Sequence, residues 1–141
     1  MNSCIKHLQQ IEVAARAAKC PYMPLTYIIA TKYTDKTANG LTKCIIEWLR
    51  YSNCQGERIS NTGRMVAKHW IPGSGTNGTA DISAVIKGRA VKIEVKIGKD
   101  RQSDKQIAYQ QSIENAGGVY IIAKDFEGFY HWYYEFLKSV A

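Results

Sequence analysis

Asp81 and the run Glu94-Val95-Lys96 flank a short turn at Lys87-Gly88-Arg89. Apolar and polar residues alternate on both sides of it, which reads as two half-buried strands of a hairpin. A two-residue loop at Lys87-Gly88 pairs Ile86 with Arg89 and sets Ile82 opposite Ile93, Ala84 opposite Val91 and Asp81 opposite Glu94. One face is then apolar and suited to a core. The other carries two carboxylates side by side, with Lys96 next to them. Like charges opposed on a sheet repel, so such a pair calls for a cation. A loop of Gly88-Arg89 would instead place Asp81 opposite Lys96, with all three residues still on one face. The spacing alone serves a solvated strand equally well, because acids and lysines are ordinary on a wet face.

The chain has 141 residues, enough for one domain with its own core, and a net charge of +7. A pI near 9.3 points to a polyanionic partner, most often nucleic acid. The basic residues form no polybasic run beside a lipidation signal, so a membrane surface is the weaker partner. Cys4, Cys20, Cys44 and Cys54 are widely spaced and show no zinc pattern. With no secretion signal and no apolar run long enough for a bilayer, the sequence predicts a reduced, soluble, cytoplasmic protein.

Around the hairpin, Ser3 to Lys19 reads as a helix with a narrow apolar stripe through Cys4, Leu8, Ile11, Ala15 and Ala18, stopped by Pro21 and Pro24. This makes residues 1–24 a helical extension ahead of a domain at 25–141, within one globule overall. Thr26 to Ala30 suggests a short strand. Leu41 to Tyr51 is a second helix, with Leu41, Cys44, Ile45, Trp48 and Leu49 on one face and Glu47 on the other. Strand-like pieces follow at Glu57 to Asn61 and Met65 to Trp70, joined by Thr62-Gly63. The loop from Pro72 to Gly78 has glycines that allow close backbone approach. Past Lys96, Ser103 and Gln106 form a capping box for a helix to about Ala116, closed by Gly117-Gly118. Val119 to Ala123 reads as a central strand, parallel to the Glu94 strand through a right-handed crossover. From Asp125 a last helix carries aromatics around most of its circumference, so it is either deeply buried or covers a partner. The order predicts an α/β fold with a mixed central sheet flanked by helices.

Ordered along the chain, Glu47, the 57–63 segment, Gly78-Thr79-Ala80-Asp81, Ile93-Glu94-Val95-Lys96, Gly98 to Ser103, and Gln106 with Tyr109 resemble the VRR-NUC domain of the PD-(D/E)xK nuclease superfamily. The resemblance spans about residues 40–123 and implies a restriction-endonuclease-like core. Ala80 replaces the proline of the superfamily name, and Gln106-x-x-Tyr109 is one residue shorter than the pattern of some exonuclease relatives. The resemblance implies a Mg²⁺ or Mn²⁺ ion held by Asp81, Glu94 and the Val95 carbonyl, with Lys96 serving the attacking water. Gln106 would orient water or phosphate at a helix N-terminus. Glu47 would be an outer or second-metal ligand, although its place on the wheel suits a solvated glutamate equally. Tyr109 reads as packing, and His69 and His131 as structural.

Lys87, Arg89, Lys92, Lys99, Arg101 and Lys105 crowd the hairpin and the loop after it. They suit phosphate positioning without base readout, or a solvated face balancing nearby acids. The expected activity is a metal-dependent endonuclease on branched DNA, in the manner of a Holliday-junction resolvase. Symmetric cleavage of a junction favours a homodimer, for which the N-terminal stripe and the C-terminal aromatic helix offer surfaces if they do not fold onto the core. A restriction-like or nicking nuclease, and a basic binding module without catalysis, are the alternatives.

Overall fold

The computed structural model describes residues 2–60, 63–73 and 75–141. Helix α1 (Ser3–Lys19) begins where the Asn2 side chain accepts a hydrogen bond from the Cys4 amide. Helix α2 (Ala38–Tyr51) starts three residues ahead of its apolar face, because the Thr37 hydroxyl caps it by accepting from the Gly40 amide at 3.1 Å. Strands β1 (Gln55–Arg58), β4 (Ile82–Ile86), β5 (Arg89–Val95) and β6 (Val119–Ala123) form one sheet in the order β1-β4-β5-β6. Strands β2 (Arg64–Val66) and β3 (His69–Ile71) make a separate two-stranded sheet. Helix α3 (Asp104–Asn115) connects β5 to β6, and α4 (Phe126–Ser139) follows β6.

The β4–β5 hairpin has the register expected from a Lys87-Gly88 loop: Ile86 pairs with Arg89, Ala84 with Val91 and Ile82 with Ile93. Both loop residues have positive φ, 49° and 77°, as a two-residue turn matched to strand twist requires. Strand β5 runs parallel to β6, so the sheet is mixed. Ile82, Ala84, Ile86, Val91, Ile93 and Val95 are buried in one core with residues of α1, α2 and α4. On the opposite face lie Ser83, Lys92 and Glu94, and α3 reaches Glu94 there through Gln106.

Both elements offered as dimer surfaces fold onto this core. Cys4, Ile5 and Leu8 of α1 are buried, and α1 packs on α2 and α4. Phe126, Phe129, Tyr133 and Phe136 of α4 are buried as well, and the aromatics of α4 surround Trp48. All four cysteines are free thiols. Among the described residues, no helix is long and apolar enough to cross a membrane.

Three expectations change. Thr26–Ala30 forms no strand: one 3-10 turn (Leu25–Tyr27) leads into an extended segment whose carbonyls are taken by α1 side chains. Gln9 donates to the Thr31 carbonyl and Arg16 to that of Ile29, each at 2.9 Å, so no ladder is needed. Met65–Trp70 is a hairpin with its own turn at Ala67-Lys68, not one strand. Strand β6 lies at the sheet edge and not its centre; it reads as apolar because α3 and α4 both pack on it. In the 57–63 segment, Asn61 and Thr62 lie outside the described residues, as does Ser74 of the glycine-rich loop.

Candidate active site

Asp81 sits one residue before β4, at the end of the hairpin away from its turn. Its Oδ2 accepts a hydrogen bond from the Val95 amide at 2.8 Å, and its carbonyl accepts from the Ile59 amide at 2.8 Å. These two bonds stitch β1, β4 and β5 together where the ladder ends. Glu94, one strand over, is only 2% exposed, although it lies on the face that alternation assigns to polar residues.

Three side chains cover Glu94. Gln106 donates from Nε2 to Oε1 at 2.6 Å. Lys96 places Nζ 3.4 Å from the same oxygen, and the Tyr120 hydroxyl donates to Oε2 at 3.5 Å. The Gln106 contact follows from the helix cap. Its Oε1 accepts from the Ser103 amide at 2.9 Å within the capping box, which fixes the amide plane and aims Nε2 at Glu94. Lys96 also reaches Asp100 at 3.5 Å and is itself 7% exposed.

Burial, then the adjacent Asp81 charge, push the Glu94 carboxyl up to about 7, against the opposing pull of Lys96. Burial pushes the Tyr120 hydroxyl up to about 12, so it stays a donor at neutral pH. The donor set supplies two carboxyl groups side by side, oxygens of the kind a hard divalent ion takes, and among the described residues no third Asp, Glu, His or Cys joins them in a metal-holding cluster. With this pair, Lys96 and Gln106 gather at one point on the sheet.

Other sequence-predicted residues fall elsewhere. Glu47 forms an ion pair with Arg50, on a helix packed against the face opposite Glu94. Among the described residues, no three His, Cys, Asp or Glu side chains gather in a way that could hold a metal, so Glu47 does not join Asp81 and Glu94. Lys99, Arg101 and Lys105 are exposed in the β5–α3 loop and the first turn of α3, near Lys96 in the chain. Lys87 and Arg89 are exposed at the hairpin tip, with Arg89 five residues and about 16 Å along β5 from Glu94. Lys92 lies between, donating to Ser83 Oγ at 2.6 Å. Tyr109 meets the Tyr120 ring edge to face, as a packing residue does.

Tyr120 and Asp100 are site residues that motif spacing does not single out. Tyr120 sits in an apolar run, but its pairing with Lys92 places it on the Glu94 face. Strand parity, counted through the parallel pair, is the signal that could have found it. The glycine-rich loop also has a defined contact. Gly78, at φ 76°, backs onto α3 so closely that a Cβ there would fall 2.6 Å from the Lys105 carbonyl. That approach fixes the loop leading to Asp81 against the helix that carries Gln106.

Neither a protein-family model, nor a curated protein, nor a solved structure matches this chain, so the reading of the site rests on its own geometry.

Proposed function

We propose that the Asp81–Glu94–Lys96 face is the active site of a divalent-metal-dependent endonuclease that hydrolyses phosphodiester bonds in branched DNA. The observation that carries this is the pairing of Asp81 with a buried Glu94 whose carboxyl is pushed up to about 7, with Lys96 3.4 Å from it. A purely solvated strand gains nothing from burying a carboxylate beside another, and a binding module gains little from carboxylates facing phosphates.

Asp81 and Glu94 would hold Mg²⁺ or Mn²⁺. Such an ion supplies a hydroxide near neutral pH and offsets charge on the phosphate and the leaving oxygen. Lys96 orients the attacking water and stabilises negative charge as it develops. Gln106 keeps Glu94 in place from the capped end of α3, whose N-terminus favours anions. Lys99, Arg101 and Lys105 bind flanking phosphates without reading sequence. A homodimer acting symmetrically on a junction would need surfaces other than the buried stripe of α1 and the buried aromatics of α4, since those side chains pack in the core.

The test is incubation with a four-way junction, a flap, plain duplex and single strand, in Mg²⁺, Mn²⁺ or EDTA, beside Glu94→Gln and Lys96→Ala. Paired nicks at the branch that need the metal and both side chains support the reading. Cleavage surviving EDTA or both substitutions would sink the site. Binding with no cleavage in any metal favours a non-catalytic module.

A further inference from the structure

We infer that the β2–β3 hairpin is a nucleic-acid-contacting arm, with Trp70 and Met65 forming a platform that stacks on unpaired bases beside the Asp81–Glu94 site. This rests on the reading of that site as one that acts on nucleic acid.

Every strand residue of the hairpin is exposed, with Met65 at 62% and Trp70 at 61%, and among the described residues no helix or other strand packs substantially on it. Met65 and Trp70 are directly paired across the two strands, so their side chains share one face. Gly63 deepens that face: a Cβ there would fall 2.5 Å from Trp70 Cζ2, so only glycine leaves the indole its position. The turn is unfavourable by itself. Ala67 and Lys68 have φ of 47° and 66°, a left-handed pair without glycine, each costing about 1 kcal/mol or more. An isolated two-stranded hairpin is marginal in water even without that strain. Strain of this kind, kept where no core rewards it, collects at contact sites.

Charge selects the occupant. From Arg58 to Ala80 the sequence contains no Asp or Glu, while Arg58, Arg64, Lys68 and His69 lie within it. A flat apolar surface in an exclusively basic segment complements bases on a phosphate backbone. Position selects it too. The segment leaves the sheet where the Ile59 amide donates to the Asp81 carbonyl, and returns where Gly78 backs onto Lys105 and Gln106. Both roots of the arm are therefore at the rim of the site. A substrate strand held there would put its displaced or unpaired bases within reach of the arm, so the arm supplies preference for branched over plain duplex DNA.

The experiment measures binding in EDTA, where cleavage cannot interfere, using a 2-aminopurine-labelled flap and a blunt duplex of equal length. Wild type should bind the flap about tenfold more tightly than the duplex, with a change in 2-aminopurine emission. Trp70→Ala should lose that preference while binding duplex within about twofold, and Trp70→Phe should keep most of it. Lys68→Ala should weaken both DNAs alike and lower the salt slope by about 1. Trp70 lies outside the core, so unchanged melting of each variant shows that the loss is local. Equal flap binding by wild type and Trp70→Ala would overturn the arm. So would Trp70-dependent binding to phosphatidylserine vesicles with none to DNA. Trp70-dependent flap binding without cleavage in any metal would uphold the arm while removing the catalytic reading; cleavage with Trp70→Ala behaving as wild type would do the reverse.

Discussion

Glu12 and Glu94 are the two buried carboxylates among the described residues, 1% and 2% exposed, yet they titrate in opposite directions. Glu12 on α1 accepts from the Thr31 amide at 2.9 Å and the Thr31 hydroxyl at 2.6 Å, and pairs with Arg16 at 2.6 Å. Burial alone would raise its carboxyl, but these donors outweigh it and the net shift is down. Glu94 has one short donor, a lysine at 3.4 Å, a long hydroxyl contact, and a second carboxylate beside it. Near-equal exposure therefore conceals two differences, since Glu94 lies deeper in the protein than Glu12 and is less well satisfied there. Glu12 is a finished structural anchor that ties the 28–31 segment to α1, whereas Glu94 is held short of the charge that would complete it.

Substitution should separate the two carboxylates most visibly. Glu94→Gln should lower cleavage of a branched substrate by about a thousandfold or more, while leaving stability equal or higher, because it removes a buried charge. Glu12→Gln should do the converse, losing about 2 kcal/mol in urea unfolding with activity per folded molecule unchanged. If Glu12→Gln abolishes cleavage in protein shown to be folded, the division between anchor and site is wrong.

Acidity should separate the pair next. The folded value for Glu94 lies above its unfolded one, so its contribution to stability is present below about pH 4.5 and lost as pH rises through about 7. In EDTA the wild type should lose on the order of 2 kcal/mol between pH 5 and pH 8 from this source, and Glu94→Gln should flatten that slope. For Glu12 the sign reverses. Its folded value is lowered, so its contribution is present above pH 4.5 and disappears as pH falls further. Acid-side melts of Glu12→Gln against wild type read that loss directly.

A divalent ion sharpens the contrast further. At pH 8, Mg²⁺ or Mn²⁺ at about a hundred times its Kd should stabilise the wild type by about 2.7 kcal/mol, and Glu94→Gln by much less. A Tm shift retained in full by Glu94→Gln would place the ion elsewhere. Gln106 gives the smallest effect and the most pointed one. Gln106→Glu keeps the capping box but sets a third carboxylate against Glu94, so it should retain helix stability and lose activity about tenfold or more. Gln106→Ala should instead cost about 1 kcal/mol of stability.

Much of this was legible in the residues. Period-two alternation and a Lys-Gly turn specify the β4–β5 register, because a one-residue slip would put Ile82 and Ile93 in water. Ser103 and Gln106 announce the start of α3 through hydrogen bonds only three residues long. Alternation could not tell that the polar face at Glu94 is buried. That depends on Gln106 and Tyr120 arriving from twelve and twenty-six residues away. Glu47 shows the same limit: a wheel gives its angle on α2, but not that α2 packs against the other side of the sheet. Strand β6 reads as central because apolar composition reports covered surface, and helices on both sides cover most of this edge strand although Ile122 stays exposed.

Short-range forces, readable along the chain, set the helices, their caps, the hairpin register and which residues share a sheet face. Long-range packing set which face of the sheet α3 closes over, that Glu94 is dry beside Asp81, that Glu47 lies apart, and that Trp70 remains exposed. Those outcomes depend on desolvation and on like-charge proximity, which exist only once distant elements have packed.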